Sequence, residues 1–462
     1  MRKLSALFAL FPLLLPASEN LAIANAPESI SLTVYNKNLA MITEERKAVI
    51  DHPGKVKLMY PGIPSAIDTS SVIASFKQKT ALFSQNYSFD VINYDSLLKY
   101  HLGKTINYTE KKDSVEIKEG TLLAIKPLLV RERNFGVIFT PYQVFFPDIP
   151  KDMAVKPSLF WNIETEAKRL DIKLKYLSRG LSWKSDYTVD LVDGNSFDLN
   201  SWITISNNSG ASYKDANITV LAGEVNVPKV RRNRRVYAKR AMTSMTERDG
   251  NIHNEAFSGY HIYKIPFRET IKDKERKQIS FIQKKGLRYE KYALNSEAVH
   301  FNNFGERELK FDQLIEFENK VTNHLGIPLP RGTVRVYSED SGHNSRFIGA
   351  NTIQDIPRDE KVKLTIGKYF DIVGKERVTA FRETRTEKHI AYEITIHNHS
   401  EKSEVIKLKK IVPSNHGKLS VTDSCDTECS KKSLNAFETE YTIQLKPNKS
   451  YTLTVQYDLL KY

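Results

Sequence analysis

The sequence has few cysteines, few long apolar runs and little helical periodicity, and each shortage excludes a class of protein. Two cysteines among 462 residues exclude a small disulfide-dense scaffold. After the first 15 residues no apolar run reaches the roughly 20 residues of a membrane-spanning helix, so we expect no transmembrane segment in the rest of the chain. Heptad repeats are absent, which excludes a coiled coil. With 40% hydrophobic and 27% charged residues, the composition is that of a folded globular protein.

The short motifs of several common enzyme classes are also absent. No G-x-S-x-G, H-E-x-x-H, Walker loop or G-x-G-x-x-G after a strand occurs. His397 and His399 share one face of an expected strand, but a metal needs a third ligand and His416 is the nearest candidate in sequence. We therefore predict no cofactor, no metal site and no catalytic residue. A glycan or peptide hydrolase remains the alternative, because catalytic carboxylates are brought together only by the fold.

The first 24 residues have the parts of a secretory signal peptide. Arg2 and Lys3 form a short basic start, residues 4–15 are apolar, and residues 22–24 form a small-x-small cleavage site. We predict cleavage after Ala24 and export of the remaining chain. The apolar run is too short to cross a bilayer, so the mature protein is expected to be soluble or peripheral.

The chain is basic, with 69 Lys and Arg residues against 55 Asp and Glu. Loss of two cations and one anion with residues 1–24 would lower the formal net charge from +14 to +13. A basic exported protein is attracted to anionic surfaces such as acidic polysaccharides or membrane headgroups. The alternative is that interspersed lysines only solvate the surface.

The densest positive charge lies in residues 228–257, where strand periodicity is weakest. Between residues 229 and 240 every charged residue is a cation. We predict an exposed loop that could contact a polyanion, with a solvated insertion as the alternative. The predicted contact residues are Lys229, Arg231, Arg232, Arg234, Arg235, Lys239 and Arg240.

Elsewhere, apolar and polar residues alternate with the period of β-strands. The clearest example is residues 441–445, which are separated from residues 451–457 by the turn sequence Lys-Pro-Asn-Lys. This pattern predicts a hairpin with one buried face. The best helical candidate is residues 94–104, with Asp95 or Ser96 as its cap.

Two pairs of short sequences suggest that strand modules recur. "WITISNNSG" from Trp202 and "YEITIHNHS" from Tyr392 each end an Ile-Thr-Ile strand in an Asn-containing polar turn. "DHPGKVKLMY" from Asp51 and "IPRDEKVKLTI" from Ile356 each place a turn before Lys-Val-Lys-Leu. We expect several β-sandwich-like domains of similar build. Within "YLSRGLSWKSDYTVDL", Trp183 follows a turn at Gly180 and is expected to pack in a two-sheet core.

Cys425 and Cys429 lie four residues apart in "SCDTEC". In an oxidising compartment we predict a disulfide that closes a short loop and has a structural role. Closure of so short a loop contributes about 2 kcal/mol in the chain-entropy model.

Three segments of the chain resemble a known family: "YLSRGLSWKSDYTVDL", "NNSGASYKDANITVLAGEV" and "LPRGTVRVYSED". They are similar to bacterial exported proteins that carry the domain of unknown function 4139, some of them described as mucoidy-inhibitor-A-like. Residues 32–72 resemble the N-terminal part of that family, although the long helical hairpin of many relatives is missing. The resemblance implies an envelope location and a β-rich fold, and it implies no catalytic residues.

The predicted fold is all-β, with several β-sandwich-like domains in tandem and little helix. We expect a signal peptide over residues 1–24, an N-terminal β-rich domain over 25–155, a central β domain over 156–375 interrupted by the loop at 228–257, and a C-terminal sandwich-like domain over 376–462.

The predicted function is non-enzymatic binding or scaffolding in the periplasm or cell envelope of a Gram-negative bacterium. The expected partner is an unknown envelope protein or an anionic envelope polymer. Peripheral membrane contact remains open, and nucleic acid is not expected outside the cell.

Overall fold

A computed structural model describes residues 20–88, 92–112, 114–132, 136–149, 156–223, 225, 253–257, 259–413 and 417–460. These residues form thirty strands, one α-helix and one short 3₁₀ helix, which confirms the all-β prediction. No described helix has the length and hydropathy of a membrane span.

In the first part of the chain, strands precede and follow the α-helix, α1 (Tyr94–His101), in sequence. They are β1 (Leu21–Ile23), β2 (Ser29–Tyr35), β3 (Leu39–Val49), β4 (Gly54–Pro61), β5 (Ile67–Phe76), β6 (Thr80–Ser88), β7 (Thr105–Thr109), β8 (Lys118–Ile125), β9 (Leu128–Glu132), β10 (Gly136–Phe139), β11 (Gln143–Phe145), β12 (Ser158–Thr165) and β13 (Arg169–Ser178).

The later strands include the longest ones, and the 3₁₀ helix (Val321–Asn323) lies among them. They are β14 (Leu181–Leu191), β15 (Ser196–Asn207), β16 (Tyr213–Ala222), β17 (His253–Phe257), β18 (Tyr260–Ile271), β19 (Glu275–Arg288), β20 (Glu290–Ala298), β21 (Glu306–Glu318), β22 (Gly332–Glu339), β23 (Ser345–Ile353), β24 (Lys361–Glu383), β25 (Glu387–Asn398), β26 (Glu404–Ile411), β27 (Lys418–Asp423), β28 (Cys429–Asn435), β29 (Glu438–Leu445) and β30 (Ser450–Leu460).

The chain forms two compact units, and neither is one continuous stretch. The first contains residues up to Ser182 together with Ser206–Leu221 and Lys264–Arg276. The second contains Trp183–Ile205, Ala222–Tyr263 and Lys277–Tyr462. The three-domain division expected from the sequence remains a prediction, and β24 runs without a break through its expected boundary at residue 375.

The first unit is built from three sheets. One has the strand order β1-β4-β12-β6, another has the order β10-β9-β8-β7-β11, and a third includes β16-β2-β3-β13-β5. Apolar residues alternate along these strands, so each sheet buries one face. Trp161 is fully buried there and packs against the ring of Tyr60 at a centroid distance of 5.2 Å.

The N-cap of the helix in this unit lies two residues before Asp95, the nearer of the two expected caps. Asn93 is the N-cap, and its side chain accepts a hydrogen bond from the Ser96 backbone N–H, while the Ser96 hydroxyl oxygen accepts one from the Asn93 N–H. The prediction of Asp95 or Ser96 as the cap was therefore wrong. A capping box needs the two residues three positions apart, and Asn93 provides that spacing.

The second unit contains a five-stranded sheet, β19-β15-β14-β22-β23, and a nine-stranded sheet, β27-β30-β25-β24-β21-β20-β26-β29-β28. Trp183 on β14 is buried and meets the Tyr263 ring edge-on, as expected for a core residue. The nine-stranded sheet curls strongly, because the Tyr441 hydroxyl on β29 lies 3.1 Å from Asp423 on β27 although these strands are near opposite edges. An apolar core of buried residues, including Phe311 and Tyr457, is built largely from strands of this sheet.

The predicted C-terminal hairpin is wrong in its pairing. Both strands form and bury the expected face, but β29 pairs with β26 and β28, whereas β30 pairs with β25 and β27. The Asn398 side chain donates hydrogen bonds to the Leu445 and Lys446 carbonyls, and its backbone N–H donates to Lys449. The turn between β29 and β30 is therefore held at the end of β25. It leads from a strand near one edge of the sheet to a strand near the other edge, so the two strands do not pair with each other.

Candidate functional site: a charged cleft in the second unit

The structure brings together few of the residues proposed from sequence. The seven cations between residues 229 and 240 lie outside the described residues. The rings of His397 and His399 are 3.9 Å apart, and His397 Nδ1 lies 2.5 Å from the Ser450 hydroxyl. His416 is outside the described residues, and within the described ranges no group of three His, Cys, Asp or Glu side chains is arranged to hold a metal.

Cys425 and Cys429 are joined, with their Cα atoms 5.2 Å apart. Their loop connects β27 to β28, which are the two edge strands of the nine-stranded sheet. The disulfide therefore shortens the link between edges that the curl of the sheet has brought close together.

The second unit contains a pair of neighbouring cavities of about 780 and about 430 Å³. We call this pair the charged cleft, and Asn195, Tyr289 and Glu290 line both parts. Cavities of several hundred Å³ are of the size that binds small ligands.

The cleft is lined by side chains of both charges. They come from the β14–β15 turn, the β19–β20 junction and β20, β21, the end of β22, the start of β24, and β26 with the residues just before it. Its cations are Arg288, Lys291, Lys361, Lys402 and Lys407, and its anions are Asp193, Glu290, Glu316, Glu318, Glu339 and Glu404.

Glu316 is the most buried of the cleft carboxylates, with a side chain that is 6% exposed. It accepts hydrogen bonds from Lys361 at 2.7 Å and from the Tyr292 hydroxyl at 2.9 Å, and Lys363 lies 3.2 Å away. Burial alone would raise the pKa of Glu316, but these donors and cations outweigh burial and lower its pKa to about 2. Glu316 is therefore a permanent anion near neutral pH.

Glu404 repeats this arrangement at the start of β26. The Tyr369 hydroxyl donates to Glu404 at 2.8 Å, and the Lys291 ammonium lies 3.9 Å from the same carboxylate. Burial, followed by the charge of Glu404, raises the pKa of Tyr369, so its hydroxyl stays protonated and remains a donor. A fourth lysine, Lys407, lies over the Tyr292 ring at 3.8 Å.

Because these charges are fixed by partners, the cleft suits ligand binding better than proton transfer. A general acid at neutral pH needs a carboxyl group with a raised pKa, and Glu316 has the opposite shift. The sequence contains one signal for Glu316: it is the charged residue of the otherwise apolar stretch Leu-Ile-Glu-Phe at residues 314–317, which is buried in the structure. A charged residue in such a stretch needs partners that only the fold provides.

A second cluster of charges lies inside the nine-stranded sheet. Glu376 and Lys410 are each 1% exposed, and the Lys410 ammonium lies 2.5 Å from the Glu376 carboxylate. Arg307 donates to the same carboxylate at 2.7 Å and also pairs with Glu297. These residues occupy four adjacent strands, and the curl of the sheet lets Lys410 reach across two of them.

A separate cavity of about 460 Å³ lies along β21, β24 and β25. Phe370 on β24 lines it and is 92% exposed. Lys368 and Lys375 also line it, and they pair with Asp312 and Glu306. Fewer charged side chains line this cavity than line the charged cleft, so we place the candidate site in the cleft.

No curated protein matches the chain. The family model described as "Domain of unknown function (DUF4139)" matches residues 172–460, which include every described residue of the charged cleft. The similarity expected for residues 32–72 lies outside that match and remains a prediction. Because the match covers more than half of the sequence, the chain belongs to the DUF4139 family.

Proposed function

We propose that this protein is an exported, non-enzymatic binding protein of the bacterial cell envelope, and that the charged cleft binds a short peptide bearing both a positive and a negative charge. The observation that carries the proposal is the cavity of about 780 Å³ with fixed charges of both signs. Export is supported by the signal-peptide pattern of the first residues.

The two ends of such a peptide would meet opposite charges in the cleft. Glu290 lines both cavities and offers a carboxylate to an amine, while Arg288 and Lys402 offer cations to a carboxylate. Glu316 and Glu404 already have partners, so they set the electrostatic field without needing the ligand. Prearranged charges lower the cost of ordering the site on binding.

The test is calorimetric titration with the tripeptide Lys-Ala-Glu, with capped tri-alanine as the uncharged probe. We expect only the charged peptide to bind, and we expect Glu290→Gln or Lys402→Gln to weaken it about tenfold, as for loss of one charge-assisted contact. Glu308→Gln and Lys285→Gln are controls outside the cleft and should bind like the wild type. Equal affinity in all four variants would contradict the proposed site.

A hydrolase is the second proposal. It is supported by the carboxylates that line the cleft, since pairs of carboxylates are the usual catalytic groups of glycan hydrolysis. Cleavage of the peptide during the titration would favour this second proposal over binding alone.

Two further contacts remain proposals. The exposed Phe370 supports peripheral membrane contact, since an exposed aromatic ring can insert among headgroups. The cations between residues 229 and 240 support capture of an anionic envelope polymer.

A further inference from the structure

The segment before Asn25 completes an edge of the first unit. Strand β1 runs parallel to β4, with Leu21 opposite Lys57 and Ile23 opposite Met59. The Lys57 N–H donates to the Asn20 carbonyl at 2.9 Å, and the Ala24 N–H donates to the Met59 carbonyl at 2.8 Å. The backbone of this segment therefore satisfies polar groups on the edge of β4.

The side chains of residues 22–24 alternate between buried and exposed positions. Ala22 is 6% exposed and Ala24 is 3% exposed, whereas Ile23 is 53% exposed. Leu21 packs against Met59 and Phe160, which form a small apolar cluster.

The segment is also held by contacts beyond β4. The Asn20 side chain donates to the His52 carbonyl at 2.6 Å, in the turn before β4. Ala24 forms a bridge with Ala48 of β3, so the segment contacts strands of two different sheets. Removal of residues 20–24 would uncover the edge of β4 and part of the apolar cluster.

The small-x-small pattern of residues 22–24 places signal cleavage after Ala24, which would remove all of these contacts. We infer instead that the signal peptide is cleaved before Asn20, and that Leu21–Ala24 remain in the exported protein as strand β1. Ala17 and Ser18 are small residues two and three positions after the apolar run, and cleavage behind either of them leaves a small residue directly before the cleaved bond. Hydrolysis of one peptide bond there consumes one water and leaves a new α-amino group on the exported chain.

This inference depends on the export in the proposed function, and the start of the exported chain distinguishes the two. The full-length gene product is expressed with its own signal, the periplasmic and cytoplasmic fractions are separated, and the first residue of the protein in each is identified by intact mass and terminal sequencing. A periplasmic start at Ser18, Glu19 or Asn20 supports the inference. A periplasmic start at Asn25 overturns it and leaves export intact, whereas a protein found only in the cytoplasm with Met1 retained overturns both.

Matched substitutions on β1 provide a second readout. In the exported protein, Ala22→Asp is expected to lower the melting temperature by several degrees or to abolish folding, because it places a carboxylate at a buried position. Ile23→Asp makes the same change on the exposed side of the strand and should leave the melting temperature within about a degree. Identical melting of both variants and the wild type would show that the segment is absent from the mature fold.

Discussion

At the scale of single residues, Glu316 shows how a buried carboxylate stays charged. Lys361, Lys363 and the Tyr292 hydroxyl replace the water that burial removes, and the pKa of Glu316 falls to about 2. A lowered pKa means that the folded state holds the proton less tightly than the unfolded chain. The stabilisation is therefore complete above the ordinary value of 4.5 and is lost as pH falls toward 2.

We predict that Glu316→Gln destabilises the protein at neutral pH by about 1.5–3 kcal/mol, the usual size for hydrogen bonds to a charged group. The difference from the wild type should shrink between pH 4.5 and pH 2. Denaturant unfolding across that pH range measures it. Glu308→Gln, on the exposed side of the same strand, is the control. A difference that stayed constant with pH would contradict the role of the charge.

The pair formed by Glu376 and Lys410 belongs to a different class, because both partners are almost fully buried. We predict that Glu376→Gln costs roughly 3–5 kcal/mol, since it leaves the Lys410 ammonium buried without its carboxylate. Adding Lys410→Met should recover part of the loss, because the uncompensated charge is then removed. Chemical denaturation of the single and double variants measures both effects.

The control for that prediction is Glu393→Gln. Glu393 pairs with Arg377 near the surface, where ion pairs contribute about 1 kcal/mol or less. A loss at Glu376 no larger than at Glu393 would show that the interior cluster does not depend on charge.

At the scale of strands, two buried asparagines explain the repeated sequence noted above. Asn207 and Asn398 occupy the same position after an Ile-Thr-Ile strand. Each accepts a hydrogen bond from the backbone N–H two residues later, at 3.0 and 2.9 Å. Each also donates at 2.8 Å to the carbonyl four residues later. The repeated sequence therefore encodes a repeated side-chain clamp at the strand end.

We predict that Asn207→Ala destabilises the protein by about 1–3 kcal/mol, because the substitution leaves buried backbone groups without partners. Asn207 also donates to the Lys272 carbonyl at 3.0 Å, so the clamp joins two loops. Thermal unfolding measures the effect. Asn208→Ala is the neighbouring control, because Asn208 is exposed and should tolerate the change. Equal melting temperatures for the two variants would rule out the clamp.

At the scale of the whole molecule, neither compact unit corresponds to one continuous stretch of the chain. Sequence reasoning divides a chain into consecutive pieces, since composition and periodicity are read along it. Strands such as β14 and β22 pair across more than a hundred residues, and such pairs create units that are discontinuous in sequence.

The sequence alone determined that the backbone would be extended, which faces of the strands would be buried and which cysteines would pair. Alternation with a period of two is a local property, and because the chain has two cysteines, Cys425 has no other partner within it than Cys429. The family resemblance over the second half of the chain was also visible there.

Only the tertiary structure decided which strands became neighbours. The alternation in β29 and β30 predicted two strands correctly, but it carried no information about the curled sheet that separates them. The same limit applies to the charged cleft, where Tyr292, Glu316 and Lys361 come from three strands. Their hydrogen bonds form because pairing between strands distant in sequence places these residues side by side. The alternation along one strand does not predict which strand will lie next to it.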